Sequence, residues 1–160
     1  MQRLDEAHAN QQFLERWRQG ETLHVDGITF ASGRVVLLST ATVSEHGEPK
    51  CVASPLADST IASVLSRNPD AWVAITPMTA TLDWEPEVRI CCGEGAMGNE
   101  GFIAATSADL RTPIWVLFST CSNPFTELRR AGADILADAG YDQTWRIPFA
   151  NPERFTIVNG

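Results

Sequence analysis

Residues 88–125, VRICCGEGAMGNEGFIAATSADLRTPIWVLFSTCSNPF, contain the most regular strand pattern in the chain. Three short apolar and β-branched runs, 88–92, 101–106 and 114–120, are bounded by Gly, Pro, Asp and Ser, which is typical of β-strands. Turn-forming residues at 107–113 predict that the second and third runs form a hairpin. We expect the remaining elements to pack against this stretch.

Apolar positions at helical spacing predict two longer helices and one short helix. The longer helices are expected at residues 4–19 and 124–139, and the short helix at 58–67. Asn123 is the expected N-cap of the second long helix, because asparagine favours that position and a proline follows it.

The other strand signals are short and spread over the chain. Residues 22–25 and 28–31 predict a hairpin around the turn pair Asp26-Gly27. Further strands are expected at residues 34–43 (interior), 50–53 (edge), 71–76, 144–149 and 154–158, with 45–49 and 77–86 as loops. This order of elements predicts an α+β fold with a largely antiparallel sheet. A length of 160 residues predicts one domain, 1–160.

Charge and hydropathy restrict the possible partners. The formal net charge is −8 and the pI is about 4.8, which argues against direct binding of nucleic acid and permits a basic protein partner. The first twenty residues lack the apolar core of a signal peptide. No apolar run is long enough to span a bilayer. We therefore expect a cytoplasmic protein with no membrane partner.

Four cysteines, at positions 51, 91, 92 and 121, form no CxxC pair. In a cytoplasmic protein we expect all four to be free, mostly buried thiols. Cys91 and Cys92 are adjacent on a predicted strand and should face opposite sides of its sheet. The three scattered histidines do not match the spacing of a zinc site, so no metal is expected.

The sequence from Gly93 to Gly98 is a literal GxGxxG. A dinucleotide-binding turn needs a helix to begin there, so that the helix N-terminus faces the pyrophosphate. Here a strand pattern follows instead, and Glu94 and Glu100 would repel phosphate. We interpret the segment as a glycine-rich turn between strands and predict no cofactor.

No catalytic constellation is evident, and no catalytic residue is predicted. A nucleophile–base pair would combine Cys121 or Cys51 with His46, His24 or His8, and the spacing favours none of these pairs. A carboxylate pair of the glycosidase type needs a defined separation that the sequence does not establish. A small hydrolase or transferase using a Cys or a carboxylate stays as the alternative function.

Residues 83–109 contain six acidic side chains and one basic side chain. One interpretation is a solvated rim of the sheet, and the other is a binding face for a basic partner. Trp84, which is expected in a loop between two acids, is the kind of aromatic residue that anchors interfaces. The predicted partner-binding residues are Asp83, Trp84, Glu85, Glu87, Glu94 and Glu100. The first helix and residues 44–58 are the alternative contact regions.

Two segments, ICCGEGAMGNEGFIAA and IWVLFSTCSNPF, resemble a pattern of small bacterial immunity proteins, which are inhibitors encoded beside polymorphic, contact-dependent or type VI-delivered toxins. The matching positions are Cys92, Gly93, Glu94, Gly95, Gly98, Gly101, Phe102, Trp115, Phe118, Ser122, Asn123, Pro124 and Phe125.

The resemblance covers about a quarter of the chain and carries no catalytic residue across. It implies a cytoplasmic protein that binds its cognate toxin on a basic face and occludes the active site, for example in an enzyme acting on nucleic acid. A structural or adaptor domain of a mobile element is a further alternative.

Overall fold

The computed structural model of the chain describes residues 5–160 and contains, in that range, two α-helices, thirteen strands and one 3-10 turn. The helices are α1 (Glu6–Arg18) and α2 (Ile61–Arg67), and the 3-10 turn is Pro152–Arg154. The strands are β1 (Glu21–Leu23), β2 (Gly27–Phe30), β3 (Arg34–Glu45), β4 (Glu48–Thr60), β5 (Trp72–Ala74), β6 (Thr76–Glu85), β7 (Val88–Glu94), β8 (Gly101–Ser107), β9 (Pro113–Ser119), β10 (Glu127–Ala131), β11 (Asp134–Asp138), β12 (Gln143–Pro148) and β13 (Thr156–Asn159).

The strands form three antiparallel sheets. The central sheet has seven strands in the order β4-β3-β2-β9-β8-β7-β6. A second sheet has four strands in the order β10-β11-β12-β13, and β1 pairs with β5 in the third. The predicted predominance of antiparallel sheet is confirmed, and the number of strands makes the fold largely β.

Side chains alternate along each strand, so every strand of the central sheet contributes to both of its faces. Both faces pack against apolar layers. Trp115 and Leu117 of β9 pack against the four-stranded sheet, where Trp145 and Ile147 are buried. Val116 and Phe118 face the opposite layer, made by α1, α2 and the two-stranded sheet. A strand buried on both faces explains why the sequence of β9 is almost continuously apolar.

The three strands predicted from residues 88–120 are confirmed as β7, β8 and β9, which are neighbours in the central sheet. The predicted hairpin between β8 and β9 is also present. The first helix is confirmed over Glu6–Arg18, and its N-cap is Asp5, whose side chain accepts a hydrogen bond from the amide of Ala7. Leu4, where the helix was predicted to begin, lies outside the described residues.

The second long helix, predicted at 124–139, is wrong. This segment forms the hairpin β10–β11, and no helix begins at the SNPF sequence. Buried Ile135 and Ala137 alternate with partly exposed neighbours, which is the period of a strand. Gly132 has φ +62° and forms the turn, where a left-handed backbone favours glycine. Asn123 also has positive φ, +63°, which is not the conformation of an N-cap.

The predicted hairpin around Asp26-Gly27 is wrong as well. Strand β1 pairs with β5, whereas β2 lies between β3 and β9. The carboxylate of Asp26 accepts hydrogen bonds from the Thr120 amide at 2.6 Å and from the Thr40 hydroxyl at 3.2 Å. Asp26 therefore joins distant segments instead of closing a local turn.

Two boundaries also differ from the prediction. The short helix begins at Ile61, and its N-cap is Thr60, whose hydroxyl accepts from the Ser63 amide at 3.0 Å. The residues before Thr60 belong to β4, which is the predicted edge strand but much longer than expected. Residues 77–86, predicted as a loop, lie almost entirely in β6.

Candidate functional site

One end of the central sheet collects several loops, which we call the Glu100 end. It comprises the β7–β8 turn (95–100), the segment after β9 (120–126), the β11–β12 turn (139–142), Asp26, and the outer part of the β3–β4 hairpin. The amide of Asn123 donates to the Asn99 carbonyl at 3.0 Å, and the amide of Gly140 donates to the Ser122 carbonyl at 3.2 Å. These backbone bonds join the loops into a continuous surface.

The glycine-rich motif forms the framework of this end. A Cβ atom at Gly101 would overlap the carbonyl of Asn123, and one at Gly95 would lie 2.6 Å from Oε1 of Glu100. The motif leads from β7 directly into β8 without a helix. The interpretation as a glycine-rich turn between strands is therefore confirmed. Gly95 and Gly101 also allow a close packing that a Cβ atom would prevent.

Glu100 is only 3% exposed and holds the turn together. Its Oε1 accepts a hydrogen bond from the Met97 amide at 3.0 Å, and its Oε2 lies 3.2 Å from Nε2 of His24. The His24 ring packs edge-on against Phe118, with 5.6 Å between ring centroids. The arrangement is a buried carboxylate that orients a partly exposed histidine.

The cysteines differ from the prediction. Cys51 of β4 and Cys121 form a disulfide, with their Cα atoms 5.4 Å apart, so the expectation of four free thiols is wrong. The bond joins positions that are 70 residues apart in sequence, and only the sheet topology brings them together. Cys91 and Cys92 are free and buried on opposite faces of β7, as predicted.

The thiol chemistry of these residues is suppressed. Burial, and then the neighbouring Cys92, raises the pKa of Cys91 to about 12. Burial, and then the charge of Glu127, raises the pKa of Cys92 to about 12. A nucleophilic cysteine needs a depressed pKa, and the other two thiols are in the disulfide. Cys51 and Cys121, the cysteines of the candidate Cys–His pairs, are bonded to each other and therefore provide no thiolate.

The six predicted partner-binding residues do not form one surface. Glu94 and Glu100 lie at the Glu100 end, whereas Asp83, Trp84, Glu85 and Glu87 surround the β6–β7 turn at the other end of β7. A strand of seven residues separates the two groups, a distance of about 20 Å.

Trp84 is not the exposed loop residue that the sequence predicted. It lies in β6 and is 6% exposed. Its ring stacks on Phe149 with centroids 5.3 Å apart, and the guanidinium of Arg130 lies 3.8 Å from its centroid. Trp84 therefore closes the edge between the two larger sheets.

The outer part of the β3–β4 hairpin is an exposed element of the Glu100 end and includes part of the alternative contact region 44–58; its long strand pairing was not predicted. We call residues 41–52 the arm. Residues 41–49 are all exposed, and the arm turns at His46 and Gly47, which have φ values of +52° and +80°. Two-residue hairpin turns favour such positive φ values. The pair His46-Gly47 between two strand-like runs is the sequence signal of this turn. The loop expected at 45–49 is this tight turn and the strand ends beside it.

The Glu100 end is strongly acidic. Its carboxylates are Asp26, Glu45, Glu48, Glu94, Glu100, Glu127, Asp138 and Asp142. Within residues 5–160, the Lys and Arg side chains that we assign to this end are Lys50, which is buried and donates to the Tyr141 carbonyl at 2.6 Å, and Arg129, which pairs with Asp138 at 2.6 Å. Excess negative charge is thus concentrated here.

Comparisons of the chain with models of protein families and with curated proteins found no match. Neither helix of the described part of the chain is long and apolar enough to cross a membrane. Residues 5–160 contain no group of three or more His, Cys, Asp or Glu side chains that could hold a metal ion. The features that point to a function are the acidic surface and the arm.

Proposed function

We propose that this chain is an immunity protein that binds a cognate toxin domain and occludes its active site. The observation that carries the proposal is the acidic Glu100 end, from which the exposed arm extends. Complementary charge accelerates the encounter with a basic partner and suppresses wrong partners. An enzyme that acts on nucleic acid has such a basic surface around its substrate.

The thiols support an inhibitor over a cysteine enzyme. Cys51 and Cys121 are bonded to each other, and high pKa values keep Cys91 and Cys92 protonated. The residues that resemble the immunity pattern, such as Gly95 and Gly101, shape the surface and carry no reactive group.

The location proposed from the sequence is the cytoplasm, and the disulfide provides its test. Disulfides persist in oxidising compartments and are rare in the cytosol. Alkylating the thiols during cell lysis, followed by mass analysis of the Cys51 and Cys121 peptides, reports their redox state in the cell. Reduced thiols support the cytoplasm, and a bonded pair places the protein in an oxidising compartment.

The proposed function is tested with the C-terminal domain encoded by the neighbouring upstream reading frame. We expect the purified chain to form a one-to-one complex with that domain and to protect cells that express it. The association rate should fall as salt is raised, because salt screens the acidic surface. The proposal fails if the domain is not toxic, or if it is toxic and the chain neither binds it nor protects.

A second candidate, a hydrolase that uses a carboxylate and a histidine, is favoured by the Glu100–His24 pair. A carboxylate that orients a histidine is a recurrent part of hydrolytic sites. The variant His24→Ala distinguishes the two functions. If the chain protects as an inhibitor, His24→Ala should keep the protective activity. If the chain protects by hydrolysis, the variant should still fold and bind but lose protection.

A further inference from the structure

The arm presents exposed apolar side chains on one face. Val43 is 40% exposed and Val52 is 44% exposed. Ala41 lies directly opposite Val52 in the register of β3 and β4, so these side chains share a face with Val43. Lys50 lies opposite Val43 but is buried, and it donates to the Tyr141 carbonyl. We call Ala41, Val43 and Val52 the arm face.

The arm face continues a surface that is buried nearer the body. Val35 and Leu37 occupy the same face of β3, and they belong to the apolar cluster under α1 and α2. Beyond them the helices no longer cover the strand, and residues 41–49 are exposed. Val43 and Val52 on this face are therefore left partly exposed within residues 5–160.

Contacts of Lys50 and Cys51 attach the base of the arm to the body of the protein. The disulfide ties Cys51 to the segment after β9. The side chain of Gln143 accepts from the Cys51 amide and donates to the Cys51 carbonyl, both at 2.9 Å. Lys50 adds its hydrogen bond to the Tyr141 carbonyl. A preorganised contact element loses less entropy on binding.

The same contacts exclude one mode of binding. An extended partner segment would add to the free edge of β4 through backbone hydrogen bonds. Gln143 already occupies the backbone groups of Cys51, and Pro55 has no amide hydrogen to offer. The arm is therefore suited to contact through its side chains instead of its edge.

The charges on the arm indicate what the partner presents. Glu45 and Glu48 flank the turn, and within residues 5–160 no cationic side chain lies at ion-pair distance from either. An apolar stripe beside free carboxylates matches a cleft with an apolar floor and a rim of Lys and Arg side chains.

We propose that the arm inserts into the basic-rimmed active-site cleft of the toxin, with Val43 and Val52 on its apolar floor and Glu45 and Glu48 against its rim. The proposal rests on the proposed function and adds the element that blocks the cleft.

The test compares the double variant Val43→Ser/Val52→Ser with wild type in kinetic binding to the toxin domain encoded upstream. Removing two apolar anchors should accelerate dissociation by more than tenfold, because interface anchors contribute most of the binding energy. The control is Ile114→Ser, an exposed residue at the start of β9, at the end of the central sheet opposite the Glu100 end, which should leave dissociation unchanged. The variant Glu45→Lys/Glu48→Lys should slow association, most at low salt.

The outcomes separate this inference from the proposed function. If wild type binds and protects while the double valine variant dissociates at the wild-type rate, the arm inference is wrong and the inhibitor function stands. If wild type does not bind the domain, both fail. Hydrogen exchange of the wild-type complex is independent of any variant's folding. It should show protection of residues 41–52, and an unprotected arm would overturn the inference.

Discussion

Breaking the Cys51–Cys121 bond should destabilise the protein considerably. The bond closes a loop with a sequence separation of 70 residues. The loss of unfolded-chain entropy for a loop of that length corresponds to about 4 kcal/mol. For a protein of this size, each kcal/mol shifts the melting temperature by about 2–4 °C, so the bond is worth about 10–15 °C. Calorimetry of oxidised and reduced wild type measures this difference directly.

The comparison within wild type removes a complication of mutagenesis. The variant Cys51→Ala/Cys121→Ala loses two sulfur atoms from a buried site as well as the bond, so cavity effects add to its loss. Reduced wild type, refolded from denaturant with reductant, keeps every atom of the side chains. Reductant should lower the melting temperature of wild type and leave that of the double variant unchanged.

A contrary result would be decisive. If oxidised and reduced wild type melt at the same temperature, or if peptide mapping without reductant finds no Cys51–Cys121 cross-link, the bond does not contribute as argued. Without the cross-link, all four thiols would be free, as the sequence alone predicts. The arm would also lose one of its three attachments.

Three further predictions concern single sites. Gly101→Ala should lower the melting temperature because its Cβ overlaps a backbone carbonyl, whereas the control Gly98→Ala, with no atom within 4 Å, should not. Cys91 and Cys92 should resist iodoacetamide at pH 8 until the protein unfolds. Their folded-state pKa values are raised from 9.0 to about 12. The unfolded state therefore loses its thiol protons first as the pH rises above 9.0, and calorimetry should show the free energy of unfolding falling between these two pH values. The pKa of Asp138 is lowered, mainly by the hydrogen bond from its arginine partner, so its contribution to stability should be present above pH 3.8 and lost as the pH falls through the lower folded-state pKa. Asp138→Asn should remove a small part of the acid sensitivity, since an exposed pair is screened by solvent.

The strands of residues 88–120 could be predicted because their signal is local. Each run has β-branched or aromatic residues between turn residues, and the structure buries it on both faces. The edge position of β4 was also predictable, although its length was not. The predicted loop at 45–49 is shorter in the structure, because Glu45 lies in β3 and Glu48 and Pro49 lie in β4.

The segment 124–139 shows why local signals fail elsewhere. Its alanines, leucines and charged residues favour a helix by intrinsic propensity. The structure pairs the segment with β12 instead, because Ile135 and Ala137 then join the core around Trp145. Tertiary packing overrides propensity, and the glycine at position 132, which weakens a helix, is the residue that forms the turn.

The site was predictable only in part, for a similar reason. Residues 83–109 are acidic in sequence, but β7 runs through the middle of that segment and sends its acids to opposite ends of the sheet. The acids that join Glu94 and Glu100 in space come from the arm and from the β11–β12 turn. The Cys51–Cys121 pairing depends on the same long-range topology and leaves no pattern in the spacing of the cysteines.

The residues that carry the resemblance and the residues that carry the proposed contact are different sets at the same end of the molecule. Gly95, Gly101 and Phe125 are closely packed against their neighbours, and substitutions there would disturb the fold. Val43 and Val52 lie outside the matching positions and are exposed. The motif therefore specifies a framework, and under the proposed function the arm is where specificity for one toxin over another would arise. If so, exchanging residues 41–52 between two proteins with this motif should exchange the toxins that they neutralise, whereas exchanging the β7–β8 turn should not.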